Sequence, residues 1–292
     1  MTEFYASVVL NGLMIGAIYA LVATGLNIIF GVMRVVNFAH GEMVVIGMYV
    51  GYAAWKFTGL PPFAAVPVAM LFLFALGYAF QRAIGNAFVS KPQHVQFVLY
   101  IGIALAITGL HAVVFGPDPR GIQSAASFDV YRAGPVRIDA VRLHAALAAL
   151  AVIAGLWAWL RFSLTGKALH AAAENLTGGE AIGIRINHIF ALTMGIGAAC
   201  AGTAGALLAP LYDTQPYLAP EFTLIAFIIV IVGGLASLPG ALLGGLLIGV
   251  AEALAATLIA PSAKSLFSYG LLIFVLVLMP EGILGRLGKS RT

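Results

Sequence analysis

Nine uncharged or nearly uncharged runs dominate the sequence, at 4–33, 43–55, 62–80, 95–115, 143–160, 189–212, 222–236, 241–260 and 265–279. A helix needs about 20 apolar residues to cross the hydrocarbon core of a bilayer. Several of these runs can span alone. Those at 43–55, 222–236 and 265–279 are short, and each reads as a tilted span extended by its flanks, a half-helix or a re-entrant segment. Backbone groups in hydrocarbon must satisfy one another, which leaves helices or a closed barrel. A barrel would show short alternating segments, not continuous runs. The expected fold is therefore all-α: one polytopic transmembrane domain over residues 1–292, with eight or nine crossings, some of them short or re-entrant.

Composition points the same way. Only 9% of the residues are charged, against about 25% in an average soluble domain, so water-soluble enzyme folds are excluded. The 34 glycines suit packed transmembrane helices, where small residues let backbones approach. The net charge of +4 belongs to basic loops and does not indicate nucleic-acid binding. A single cysteine, Cys200, excludes an intramolecular disulfide and a Cys-cluster metal site; in its apolar run it reads as a small packed residue. No Lys or Arg precedes Arg34, so the first run lacks the basic flank of a signal peptide and is expected to remain in the mature protein.

Lys and Arg set the expected orientation. Loop 81–94 holds Arg82 and Lys91 without an acid, and the tail after 281 holds Arg286, Lys289 and Arg291. Both read as cytoplasmic. Alternation then puts 116–142 outside and 161–188 inside. Nine crossings give an outer N-terminus; a re-entrant short run would move it inside. Loop 116–142 has three prolines and three glycines and reads as an irregular outer cover. Residues 164–176, rich in Ala and Leu but carrying Lys167 and Glu174, read as a short helix lying at the cytoplasmic face. A break is expected at Thr177-Gly178-Gly179.

Three stretches carry the chemistry. In 25–52, Asn27, Arg34, Asn37, His40 and Glu42 lie between two apolar runs. Such groups must find partners if they enter hydrocarbon. Two readings stand: Asn37, His40 and Glu42 start a helix on a translocation path or its gate, or they form a solvated interfacial loop. In 171–184, an exposed short helix and a glycine turn suit docking of a cytoplasmic partner, or make an ordinary amphipathic loop. In 227–254, Gly240, Gly244, Gly245 and Gly249 form two small-xxx-small patterns for close helix crossing. There Ser237-Leu238-Pro239-Gly240 breaks the chain between helical pieces. Glu252 reads as an acid near the outer interface bonded to a neighbouring helix, and His111 and Asn11 as packing hydrogen-bonders. No catalytic set, cofactor motif or metal-ligand cluster stands out. The nearest phosphate loop, at Gly288-Lys289-Ser290, would need Gly where Ile283 stands, so ATP hydrolysis is not expected of this chain.

Taken in order, GLNIIFGVMRVVNFAHGE at 25–42, AENLTGGEAIGI at 173–184 with ALTMGIGAACAGTAGALLAP at 191–210, and VGGLASLPGALLGGLLIGVAEAL at 232–254 resemble the LivH-type permease subunit of branched-chain amino-acid ABC importers. The resemblance covers essentially the whole chain, least distinctively at 116–142. It implies a multi-pass protein of the bacterial inner membrane, in contact with lipid. It also implies partners: a periplasmic substrate-binding protein, a second homologous permease subunit and separate cytoplasmic ATPase subunits. Their motion would enter through Lys167 to Ile184, where Glu174, Asn175, Gly183 and Ile184 match the pattern best. This chain has Glu180-Ala181-Ile182-Gly183 where other importers carry Glu-Ala-Ala-Gly. Relatives of the family also carry urea or short amides. The rival from another class is a self-contained secondary transporter or channel using His40, Glu42 or Glu252, which should show an inverted repeat.

Overall fold

The computed structural model describes residues 2–59, 62–122, 130–133, 136–260, 263–279 and 282–283. Most of the basic tail after 281, and 123–129 and 134–135 of the 116–142 loop, lie outside the described residues. Eleven α-helices are described: α1 (Thr2–Met33), α2 (His40–Thr58), α3 (Val66–Ala83), α4 (Gln93–Phe115), α5 (Ala140–Phe162), α6 (Leu164–Glu174), α7 (Leu176–Ala181), α8 (Ile186–Leu208), α9 (Ala219–Gly233), α10 (Leu238–Leu258) and α11 (Lys264–Leu278). Seven helical segments, built on α1, α3, α4, α5, α8, α9 and α10, are long and apolar enough to cross a membrane. The protein is an all-α polytopic membrane protein. The 116–142 loop is less irregular than expected: β1 (Val130–Ala133) pairs antiparallel with β2 (Val136–Asp139). This short hairpin leads into Asp139, whose side chain caps α5 by accepting from the Arg142 N–H at 3.0 Å.

The centre is made of small residues. A Cβ on Gly16 would lie 2.6 Å from the Gly245 carbonyl oxygen, and one on Gly245 2.7 Å from Ala20 Cα. Gly249 meets Gly12 and Gly16, Gly240 meets Gly233, and Gly244 faces Ile229 and Gly233. These four glycines therefore sit where α10 crosses α1 and α9. On the other flank of α1, α8 packs with Gly197 against Gly25, while Gly202 and Gly205 meet Gly47 and Val44 of α2. Cys200 is buried in the same stretch.

Two helices begin inside the bundle. After α1 ends, Arg34 turns the chain back at φ 57°. Residues 34–39 then run inward with Val35, Asn37 and Ala39 buried. His40, the first residue of α2, reaches the Val22 carbonyl oxygen at 2.9 Å. Val22 precedes the end of α1 by eleven residues, or about 16 Å at helical rise. α9 starts at a similar depth: Gly41 N–H donates to Thr223 Oγ1 at 2.9 Å, ten residues or about 15 Å before α9 ends. Hydrogen bonds tie several helix ends together at one end of the bundle. Asn86 Nδ2 reaches the Asn187 carbonyl oxygen at 3.1 Å, and Asn27 Nδ2 that of Ser237 at 2.7 Å. α6 and α7 lie at this end.

Candidate functional site

The polar stretch 27–42 folds into the interior. Asn37, His40 and Glu42 are all buried, at 0%, 0% and 2% exposure, which removes the solvated interfacial loop. Asn37 holds the turn just before α2 by accepting from the Ala39 N–H at 3.0 Å, and its Nδ2 lies 3.8 Å from Met194 Sδ. Gly41 is required, because a Cβ there would strike the Ala219 carbonyl oxygen. The Thr223 hydroxyl takes the Gly41 N–H and donates to Ala219 O at 3.0 Å. Two helix N-termini, each carrying partial positive charge, thus meet inside the bundle. Each has one acid in its first turn, Glu42 and Glu221, which offsets that charge. The Phe38 ring stands between Phe97 and Phe227, with centroids 4.7 and 5.2 Å away.

Glu42 points to α4. The Thr108 hydroxyl donates to Glu42 Oε1 at 2.6 Å, and Oε2 lies 3.8 Å from His111 Nδ1. His111 was expected to hydrogen-bond in the packing. Its Nδ1 has no hydrogen-bond partner; the ring instead packs 4.9 Å from that of Tyr49. A cavity of about 530 Å³ opens beside this group between α2, α3, α4 and α8. It is lined by Asn37, His111, Tyr49 and Tyr100 among apolar side chains. The sequence alone did not couple Thr108, His111 and Thr223 to Glu42 and Gly41. The available signal was one polar residue in each apolar run, where an unsatisfied group is costly.

Asn27 has a separate role. Its Nδ2 donates to Ser237 O at 2.7 Å and its Oδ1 accepts from Ala236 N–H at 2.6 Å. It clamps the turn between α9 and α10, where Ala236 holds φ 62°. The break expected at 237–240 is there: Ser237 caps α10, its Oγ accepting from the Gly240 N–H at 3.1 Å. Glu252 accepts from the Ser268 hydroxyl of α11 at 2.8 Å. Asn11 donates to the Ser7 carbonyl oxygen at 2.8 Å.

The 161–188 loop is two helices, not one helix and a glycine turn. α6 ends at Glu174, and Thr177, Gly178 and Gly179 lie inside α7. The break falls at Asn175, because its side chain takes the Gly178 N–H at 2.9 Å and caps α7. Asx residues favour such caps over helix interiors. α7 ends at Ala181, and Gly183, two residues on, turns the chain at φ 88°. α6 buries Gly166, Leu169 and Ala172. Lys167, Glu174, Asn175 and Gly183 are exposed and Ile184 is half-buried. Leu164, Leu176 and Ile182 present apolar side chains at 82%, 43% and 75% exposure.

Comparison with known proteins decides the family. The model for "Branched-chain amino acid transport system / permease component" matches residues 8–276. The chain belongs to this family. BraD of Pseudomonas aeruginosa, a high-affinity branched-chain amino acid transport system permease protein, is 33% identical over 97% of this chain and 96% of its own. LivH of Salmonella typhimurium, of the same description, is 32% identical at the same coverage. A probable branched-chain amino acid transport permease protein LivH from Methanocaldococcus jannaschii is 25% identical over 91% of this chain and 88% of its own. The solved structure of PsaBC from Streptococcus pneumoniae in complex with Fab covers 97% of this chain and 94% of that one, with TM-score 0.47 and 14% identity. That likeness is too loose to add to the assignment. These permease relatives are transport proteins, not enzymes, and the chain is a multi-pass permease component.

Proposed function

We propose that this chain is one membrane-spanning subunit of an ATP-driven importer in a bacterial inner membrane, passing branched-chain amino acids or similar small polar solutes. A periplasmic binding protein delivers the solute, a second homologous permease subunit completes the path, and cytoplasmic ATPase subunits supply the motion. The observation that carries this reading is α6–α7, an exposed pair of short helices wedged between α5 and α8. Its buried face is held on the bundle and its outer face carries unpartnered Leu176 and Ile182. Lys167, Glu174, Asn175, Gly183 and Ile184 dock the ATPase. The inner start of α2, at Asn37, His40 and Glu42, shapes the path or its gate, where separation of α2 from α9 breaks the Gly41–Thr223 contact. A secondary transporter using His40 and Glu42 is not favoured: relatives across the whole chain are permease components of multi-part systems.

Two linked measurements test the docking. Cysteines placed at Glu174 and Glu180 in a Cys200→Ala background should cross-link to a co-purified ATPase subunit, whereas one at Tyr217 should not. Gly183→Trp should leave the bundle folded, because nothing lies within 4 Å of a Cβ there. The positive φ will still strain any side chain, at about 1–3 kcal/mol, and tilt α7. Uptake should fall while ATP hydrolysis persists. Cross-links from Tyr217 alone, or normal uptake by Gly183→Trp, would move the docking site elsewhere.

A further inference from the structure

At the end of the bundle away from α6–α7 lies a cavity of about 430 Å³, between the first half of α1, the last turns of α10 and the starts of α5 and α11. Cavities that take small ligands measure about 300–1,000 Å³. Its walls carry both signs of charge: Glu252 from α10, and Lys264 and Arg142 from the starts of α11 and α5. Ile15 and Leu211 supply an aliphatic wall, and Asn11 a polar one.

The opposite charges are not joined. Among the described residues the ion pairs are Arg142 with Asp139 at 3.7 Å and His111 with Glu42 at 3.8 Å. Glu252 therefore has no described cation within pairing distance, and Lys264 no described carboxylate. Glu252 is only 7% exposed, and a buried carboxylate is costly without a charged partner. Asn11 uses its Nδ2 on Ser7, while its Oδ1 is buried and accepts nothing. The Arg142 Nε makes no hydrogen bond, only the 3.7 Å ion pair with Asp139. A purely structural cluster would gain by closing these pairs. Charges held apart across a cavity with one apolar wall instead match a small zwitterion with an aliphatic side chain.

We propose that this cavity binds a free aliphatic α-amino acid. Glu252 takes the α-ammonium group, Lys264 and Arg142 the α-carboxylate, and Ile15 and Leu211 the side chain. Glu252 stands six residues before α10 ends, about 9 Å below that end, so the solute is held before it meets the starts of α2 and α9. The assignment rests on the amino-acid permease reading above and gives it residues.

The test uses the complete complex in proteoliposomes, with Cys200→Ala and Thr257→Cys. Thr257 lines the cavity, and its hydroxyl bonds only within its own helix, to Ala253 O at 2.8 Å. Leucine should slow thiol modification by 2-aminoethyl methanethiosulfonate. Leucinamide, which lacks the carboxylate, and 4-methyl-2-oxopentanoate, which lacks the ammonium, should not. Adding Glu252→Gln should raise the half-protecting leucine concentration by about tenfold or more, the loss of one charge-assisted hydrogen bond; Lys264→Met should do the same if Glu252→Gln does not assemble. Modification indifferent to leucine, or slowed equally by all three compounds, overturns the site. ATP-driven leucine uptake in the same vesicles separates the two readings. Uptake without protection rejects the site and leaves the importer. Protection without uptake keeps the site and rejects the importer. Absence of both rejects both.

Discussion

α8 and α4 are both 23 residues long, and α4 has the higher mean hydropathy. Yet the spanning window of α8 is 94% buried inside the protein and that of α4 only 11%. Apolarity does not decide which helix takes the centre, because lipid tails are as apolar as leucine and give helices no hydrophobic reason to associate. Side-chain size decides it. α8 runs through Gly195, Gly197, Ala198, Ala199, Cys200, Ala201, Gly202, Ala204 and Gly205, so neighbouring backbones can reach it. α4 carries Leu, Ile, Val and Phe around most of its surface, with Val98, Leu105, Leu110 and Val113 exposed at 60% or more. Among the described side chains, the Glu42–Thr108 bond is the hydrogen bond that reaches from α4 to α2.

The largest expected effect follows from that contrast. Gly245→Leu, or Gly205→Leu facing the Val44 carbonyl, should cut the yield of folded protein, since overpacking a close-packed site costs about 1–3 kcal/mol. Gly109→Leu on α4, where a Cβ meets nothing within 4 Å, should leave yield unchanged. Equal yields from the three variants would break the comparison.

A middle-sized effect is expected where α1 holds the α9–α10 turn. Asn27→Ala removes two hydrogen bonds, at about 0.5–1.5 kcal/mol each, and should lower the thermal unfolding midpoint in detergent. Ala236→Gly in that background should recover part of the loss by relieving the left-handed backbone, a strain of about 1 kcal/mol. No recovery would show that the turn is not under strain.

The smallest effect sharpens the account of α4. Thr108→Val should cost about 0.6 kcal/mol, the average for a side-chain hydrogen bond between membrane helices. The loss should be local: amide exchange should quicken in α4 and stay unchanged in α8. Equal acceleration in both helices would mean that α4 belongs to the same cooperative unit.

These particulars show what was legible in the sequence. The apolar runs fix the order of the apolar helices but not how many cross, and the glycine spacing at 240–249 marks a face that can meet another backbone. Neither says which backbone, since Gly12 and Gly16 offer the same small surface as Gly233. The depth of α2 was not readable, because His40 and Glu42 suit an interface as well as an interior. Only their distant partners, Val22 and Thr108, remove the ambiguity. The α6–α7 break falls at Asn175 and not at the adjacent glycines, because the Asn175 side-chain cap gives the chain a reason to restart a helix.

Transport itself tests the central claim, that this permease is moved by a separate ATPase through α6–α7. Vesicles would hold this chain alone, or this chain with its companion permease, ATPases and binding protein, and radiolabelled leucine uptake would be followed with ATP or with an ion gradient. Uptake should need the full set and ATP, and the chain alone should be inactive under either condition. Gradient-driven uptake by the chain alone, without ATP, would contradict the account.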